Sequence, residues 1–160
     1  MKNSPYFFLF SVWVFIASCS KVSYNDFSKS DFANDPEVYK LYESIKPLGT
    51  VSMNDPSARS IIISIKNAAD KVIERYGIDN ARKFSEELAD ERLAVAPETR
   101  QVPSCCTLNA NGTTNWSCCN FFETLVVTLD VYGMEPPQGA SRSQIEQYYK
   151  LVQASICANC

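Results

Sequence analysis

The chain has 160 residues, 46% of them hydrophobic, with 15 basic and 18 acidic side chains and no histidine. That length bounds it to one domain with a modest core, and a mildly acidic chain without a basic stripe is a poor match for nucleic acid. The missing histidine rules out Ser-His-Asp and Cys-His catalysis and removes the commonest metal ligand.

Lys2 is the only charged side chain before Lys21, and Tyr6–Ala17 (YFFLFSVWVFIA) is almost wholly apolar. These are the n-region and h-region of a secretory signal peptide. The run of 12 residues is too short to span a bilayer, which takes roughly 20. Ile16-Ala17-Ser18-Cys19 follows directly and resembles the lipobox of bacterial lipoproteins, an aliphatic residue and two small residues before a cysteine. The resemblance covers residues 1–19 only. It implies that residues 1–18 are a leader, that Cys19 becomes the first mature residue, and that its sulfur carries a lipid anchoring the protein to a membrane. Ser20 resembles the pattern of proteins forwarded to the outer membrane, facing the periplasm or the surface. A plain secreted protein is the alternative. Parity adds a separate argument: seven cysteines is an odd number for an exported chain, and setting Cys19 aside leaves six. Loss of Lys2 with the leader leaves 14 basic against 18 acidic side chains, a net charge of −4.

Residues 20–34 (SKVSYNDFSKSDFAN) are polar and lack sustained periodicity, so 19–34 reads as the lipidated cysteine and a flexible tether. Fifteen such residues would hold a domain roughly 20 Å from the bilayer on average.

A single disulfide-stabilised domain over 35–160, mainly α-helical with about five helices, follows from the pattern of caps and stripes. Asp35-Pro36 opens a helix that Pro47 closes. Asp55-Pro56 repeats the device. Ile61, Ile65, Ala68, Val72 and Tyr76 then fall at helical spacing before Gly77. A third helix near 79–94 places Ala81, Phe84 and Leu88 on one face. In Trp116–Gly133 the residues Cys118, Phe122, Leu125, Leu129 and Tyr132 make a helical stripe. Leu125, Val127, Leu129 and Val131 also alternate, so 124–132 has a strand as its competing reading; length and the Gly133 stop favour helix. Ser141 with Gln144, or Ser143 with Glu146, fits a capping box for the last helix, with Ile145, Tyr149, Val152 and Ile156 on one face.

Six cysteines stand as Cys105-Cys106, Cys118-Cys119 and Cys157-Ala-Asn-Cys160. In an oxidising compartment they are a disulfide framework. Sequence alone leaves 15 connectivities open. The favoured scheme joins one of Cys105/Cys106 to one of Cys118/Cys119, closing the Asn-rich loop TLNANGTTNWS, with the other two tied to Cys157 and Cys160. Adjacent helical cysteines point about 100° apart, which sends Cys118 and Cys119 to different partners. A redox-active Cys157–Cys160 pair is disfavoured because it lies at a helix C-terminus, where the dipole opposes a thiolate. The spacing also lacks the two knuckles of a zinc site, so no cofactor or metal is expected.

Glu86, Glu87, Asp90 and Glu91 form the one acidic cluster. It reads as a solvated helix face, with carboxylate catalysis on glycan or peptidoglycan as the competing class. The expected role is non-enzymatic: a binding, accessory or inhibitory module acting on an unidentified envelope protein through protein contacts. If it has a recognition surface, the stapled loop is the place, with Asn111, Asn115 and Trp116 as candidate contacts, because cross-links would preorganise it.

Overall fold

Four of the six described helices begin where the sequence offers a side-chain oxygen to the first turn. In this computed structural model, which describes residues 27–95 and 105–160, the six are α1 (Lys29–Ala33), α2 (Pro36–Ile45), α3 (Ala58–Tyr76), α4 (Ile78–Val95), α5 (Phe121–Asp130) and α6 (Arg142–Asn159). A 3-10 turn, Lys46–Gly49, follows α2, and there is no strand among the described residues. Ser28, Asp35, Asn120 and Ser141 are the caps of α1, α2, α5 and α6, and three of them complete a capping box. The protein is mainly helical, as the caps and stripes indicate.

α5 lies at the centre. Every residue from Phe122 to Leu129 is buried, and the helix packs against α4, α6 and α2, while α2 also pairs with α3. Its buried polar side chains are satisfied locally, Glu123 by the Asn120 N–H and Thr124 and Thr128 by carbonyls one turn back, so a helix buried on nearly every side fits inside the domain. That is why its sequence supports two periods at once, and it resolves 124–132 as helix up to Asp130. Arg82 from α4 clasps its end, donating to the Leu129 carbonyl from Nη2 at 2.9 Å, a cation placed at a helix C-terminus.

Several boundaries and faces differ from expectation. The tether does not extend to 34. Phe32 of α1 is 1% exposed, and Phe27 stacks edge-on with Tyr76 at 4.9 Å, so burial of two aromatic rings draws this polar stretch onto the domain. Residues 20–26 lie outside the described residues. α3 starts at Ala58 rather than at Pro56. The Asp55 carboxylate accepts from the Ser57 N–H (2.8 Å) and hydroxyl (2.6 Å), capping the turn that leads into the helix. Its buried stripe is Ala58, Ile62, Ile65, Ala69, Val72 and Tyr76, leaving Ile61 and Ala68 at the edge. α4 buries the small residues Ala81, Ser85 and Ala89, with Phe84 and Leu88 flanking them. Residues 116–120 are not helical, so Cys118 and Cys119 diverge from a turn, not from helix geometry.

Three disulfides lie in the C-terminal half: Cys105–Cys118, Cys106–Cys157 and Cys119–Cys160, with Cα–Cα distances of 6.1, 4.6 and 4.9 Å. The first closes the Asn-rich loop and the other two fasten it to the end of α6.

Candidate functional site: a cleft beneath the stapled loop

The loop 105–119 is tied to the body by hydrogen bonds as well as by sulfur. Thr114 donates to the Leu48 carbonyl through both its N–H (2.9 Å) and its hydroxyl (2.7 Å), and the Met53 N–H donates to the Gly112 carbonyl at 2.9 Å. Gly112 has φ +78°, and a Cβ there would stand 2.9 Å from Ser52 Oγ; only glycine combines that backbone with so close an approach. Gln153, 4% exposed on α6, is the buried brace. Its Oε1 accepts from the Asn115 N–H at 2.9 Å, and its Nε2 donates to the Cys105 carbonyl. One amide thus holds both legs of the loop, satisfying polar backbone groups that burial would otherwise orphan.

The tip has internal work of its own. The Asn111 side-chain oxygen accepts from the Thr113 N–H (3.2 Å) and hydroxyl (2.8 Å), and Asn109 Nδ2 donates to Thr113 Oγ1 at 2.7 Å. Asn111 is therefore an exposed turn residue whose carboxamide oxygen is engaged at home.

Between this loop and the α2/3-10 segment lies a cleft of about 300 Å³, at the small end of ligand-pocket volumes. Tyr42 and Lys46 form one wall, Asn109, Asn115 and Trp116 the other, and Gly49 and Thr50 line it too. The Lys46 ammonium sits 4.8 Å from the Tyr42 ring centroid and pairs with Glu43 across one helical turn. That hydrogen bond holds the Lys46 pKa above its ordinary value, so the ammonium is charged but already neutralised. Outside the cleft the aromatic wall continues: Phe121 lies 4.4 Å from Tyr42 and stacks with Tyr39, which is 57% exposed, at 6.5 Å.

Two of the three candidate contacts, Asn115 and Trp116, thus meet in one cleft, while Asn111 lies on the loop tip. Sequence reasoning missed Tyr42, Lys46, Gly49, Thr50, Asn109 and Gln153. Tyr39 and Tyr42 stand one helical turn apart, a face signal, but nothing in the sequence joins them to a loop some 70 residues later. Gln153 carried a better signal, a polar residue beside Val152 on an otherwise apolar stripe.

The other candidates fall elsewhere. Lys29 pairs with Glu87 (3.8 Å) and with Glu91, and Lys83 with Glu87 (3.9 Å), while Glu86 and Asp90 open onto a separate shallow cleft. These are solvated surface pairs of small energetic weight. Among the described residues no three Cys, Asp or Glu side chains could hold a metal ion together, and no helix is long and apolar enough to cross a membrane. Cys19 lies outside the described residues. Compared with family models, curated proteins and solved structures, the chain matches none, so its functional reading rests on this geometry.

Proposed function

We propose that this protein is a lipid-anchored envelope module that recognises a partner with the face built around loop 105–119. The observation that supports it is the preparation of that face. One bridge closes the loop, two more moor it to α6, and Gln153 braces both legs, so little conformational entropy is left to lose on binding. The sequence Ile16–Cys19, similar to a lipobox, supports the anchor and hence a place at the outer membrane. Exposed Tyr39 and half-buried Tyr42, Phe121 and Trp116 give this face the aromatic composition of interface centres.

Two experiments test the reading. Intact mass of membrane-extracted protein should show a chain beginning at Cys19 with added acyl mass; a chain starting elsewhere without lipid rejects the anchor. Replacing residues 109–115 by a Gly/Ser loop should abolish cross-linked capture of envelope partners, and a full set of partners retained would sink the loop as the recognition element.

A further inference from the structure

The cleft carries a second piece of chemistry in Trp116. Its indole N–H is accessible to less than 1 Å² and has no acceptor within hydrogen-bonding distance among the described residues. A buried donor left without an acceptor forfeits the hydrogen bonds it made to water, and native structures keep few of them. Trp116 borders two spaces. Behind it is a void too narrow for a water molecule, lined by aliphatic side chains such as Ile45 and Val152 and by Thr128 and Tyr148, neither of which bonds the indole N–H. In front is the cleft, and of the two only the cleft can admit an acceptor.

The rest of the lining restricts what that acceptor belongs to. The one cation, Lys46, is already paired with Glu43, so nothing selects an anion. Two aromatic side chains and a rim of amides and a hydroxyl (Asn109, Asn115, Thr50) suit a neutral ring with an apolar face and polar edges. A peptide could bring a carbonyl too, but there is no strand edge among the described residues to pair its backbone.

Resting on the reading of the stapled-loop face as the recognition surface, we propose that the cleft binds an acetamido sugar of a glycan. Its ring lies against Tyr42 and Trp116, and its acetamido carbonyl accepts from the Trp116 N–H as the cleft opens slightly. The half-exposed Lys46 side chain swings off the Tyr42 ring to make room. Phe121 and Tyr39 continue the aromatic wall outward for the next sugar units.

Trp13 and Trp116 are the two tryptophans of the chain, so in the full chain carrying Trp13→Phe all indole emission reports on the cleft. Titration with the trimer of N-acetylglucosamine should shift that emission saturably, and the glucose trimer, lacking acetamido groups, should not. Trp116→Phe keeps a ring but removes the donor and, by calorimetry, should weaken binding roughly tenfold, about one hydrogen bond. Gly49→Ala is a second variant: its Cβ would meet Trp116 Cδ1 at 3.3 Å, so the indole must shift by a few tenths of an ångström, and binding of the sugar should weaken again in protein whose far-UV dichroism is unchanged. No saturable response, an equal response to both trimers, a response to N-acetylglycinamide alone, or full affinity in Trp116→Phe overturns the proposal. If the 109–115 replacement abolishes partner capture while the acetamido trimer stays silent, the recognition face stands and the sugar falls. If the sugar binds and partner capture survives that replacement, the cleft stands and the protein-contact reading falls.

Discussion

The Tyr76 hydroxyl donates to the Asp35 carboxylate at 2.5 Å, joining the C-terminus of α3 to the N-cap of α2 across 41 residues. The same carboxylate accepts from the Glu37 N–H at 2.8 Å and faces Arg75 Nη1 at 3.0 Å. A helix cap, an ion pair and a buried phenol therefore share one side chain that is 1% exposed.

Replacing that carboxylate should be the most damaging polar substitution in the N-terminal half. Asp35→Ala removes the cap and strands a buried phenol, and should cost about 3 kcal/mol. Tyr76→Phe leaves Asp35 with Arg75 and Glu37, and should cost about 1 kcal/mol. Urea denaturation of both variants checks the order, and equal losses would show that the phenol, not the cap, is the shared element.

Gln153→Leu should loosen the stapled loop without unfolding the domain. It orphans the Asn115 N–H and the Cys105 carbonyl, about 2 kcal/mol of local stability. Amide exchange at Asn115 should accelerate far more than exchange within α3, whereas uniform acceleration would mean that Gln153 supports the whole core.

Alkali should unfold the protein through its buried phenols. Burial pushes Tyr149 up to about 12, and it also raises Tyr148 and Tyr76, the latter with help from Asp35. A pKa raised in the folded state means stability intact below the ordinary tyrosine value near 10 and lost as pH climbs towards 12. Phenolate absorbance and far-UV dichroism should therefore change together above pH ~10, and ionisation of all the tyrosines without loss of helix would contradict the burial.

Acid acts on other groups. Hydrogen bonds hold Asp70 (from Lys66 and Tyr132) and Asp31 (from Ser28) below the ordinary 3.8. Lowered carboxylate values give stability that is present above 3.8 and lost as pH falls through the folded-state values. Asp70→Asn should flatten that acid limb in thermal melts taken from pH ~5 downward, and an unchanged limb would place the acid sensitivity elsewhere.

The bridges should differ in lability. Cys106 and Cys157 are exposed, whereas Cys105 is 2% and Cys160 8% exposed, so limited reduction and alkylation should label Cys106 and Cys157 first. Their bridge spans 51 residues, and Cys106→Ser with Cys157→Ser should cost about 4 kcal/mol on the chain-entropy account. Alkylation mapping by mass checks the order.

Much of the fold was legible because local signals reported it. The Asp35-Pro36 start, the Ser141–Gln144 box and the Ile145, Tyr149, Val152, Ile156 stripe each act within one or two turns. The Ile61 and Ala68 assignments slipped because a stripe read from spacing fixes a face only to within one position, and tertiary packing chooses the neighbour. α5 was ambiguous for a deeper reason: a helix buried on every side has no polar face to set its period. The cysteine scheme was readable in outline, since loop closure restricts partners, but the choice of Cys118 for Cys105 belongs to the turn at 116–120. The cleft itself was half hidden. Asn115 and Trp116 announced themselves in the loop, while Tyr42, Gly49 and Gln153 enter only through contacts between residues far apart in sequence.

The helix that fills the middle of the core follows directly on a segment held by all three bridges. At about 3 kcal/mol for the short bridge and about 4 for each long one, the sulfur cross-links match the whole stability of a typical small domain. Before its thiols are oxidised this chain therefore has an apolar centre without its fastening, and closure of the native interior is tied to oxidation of the six cysteines.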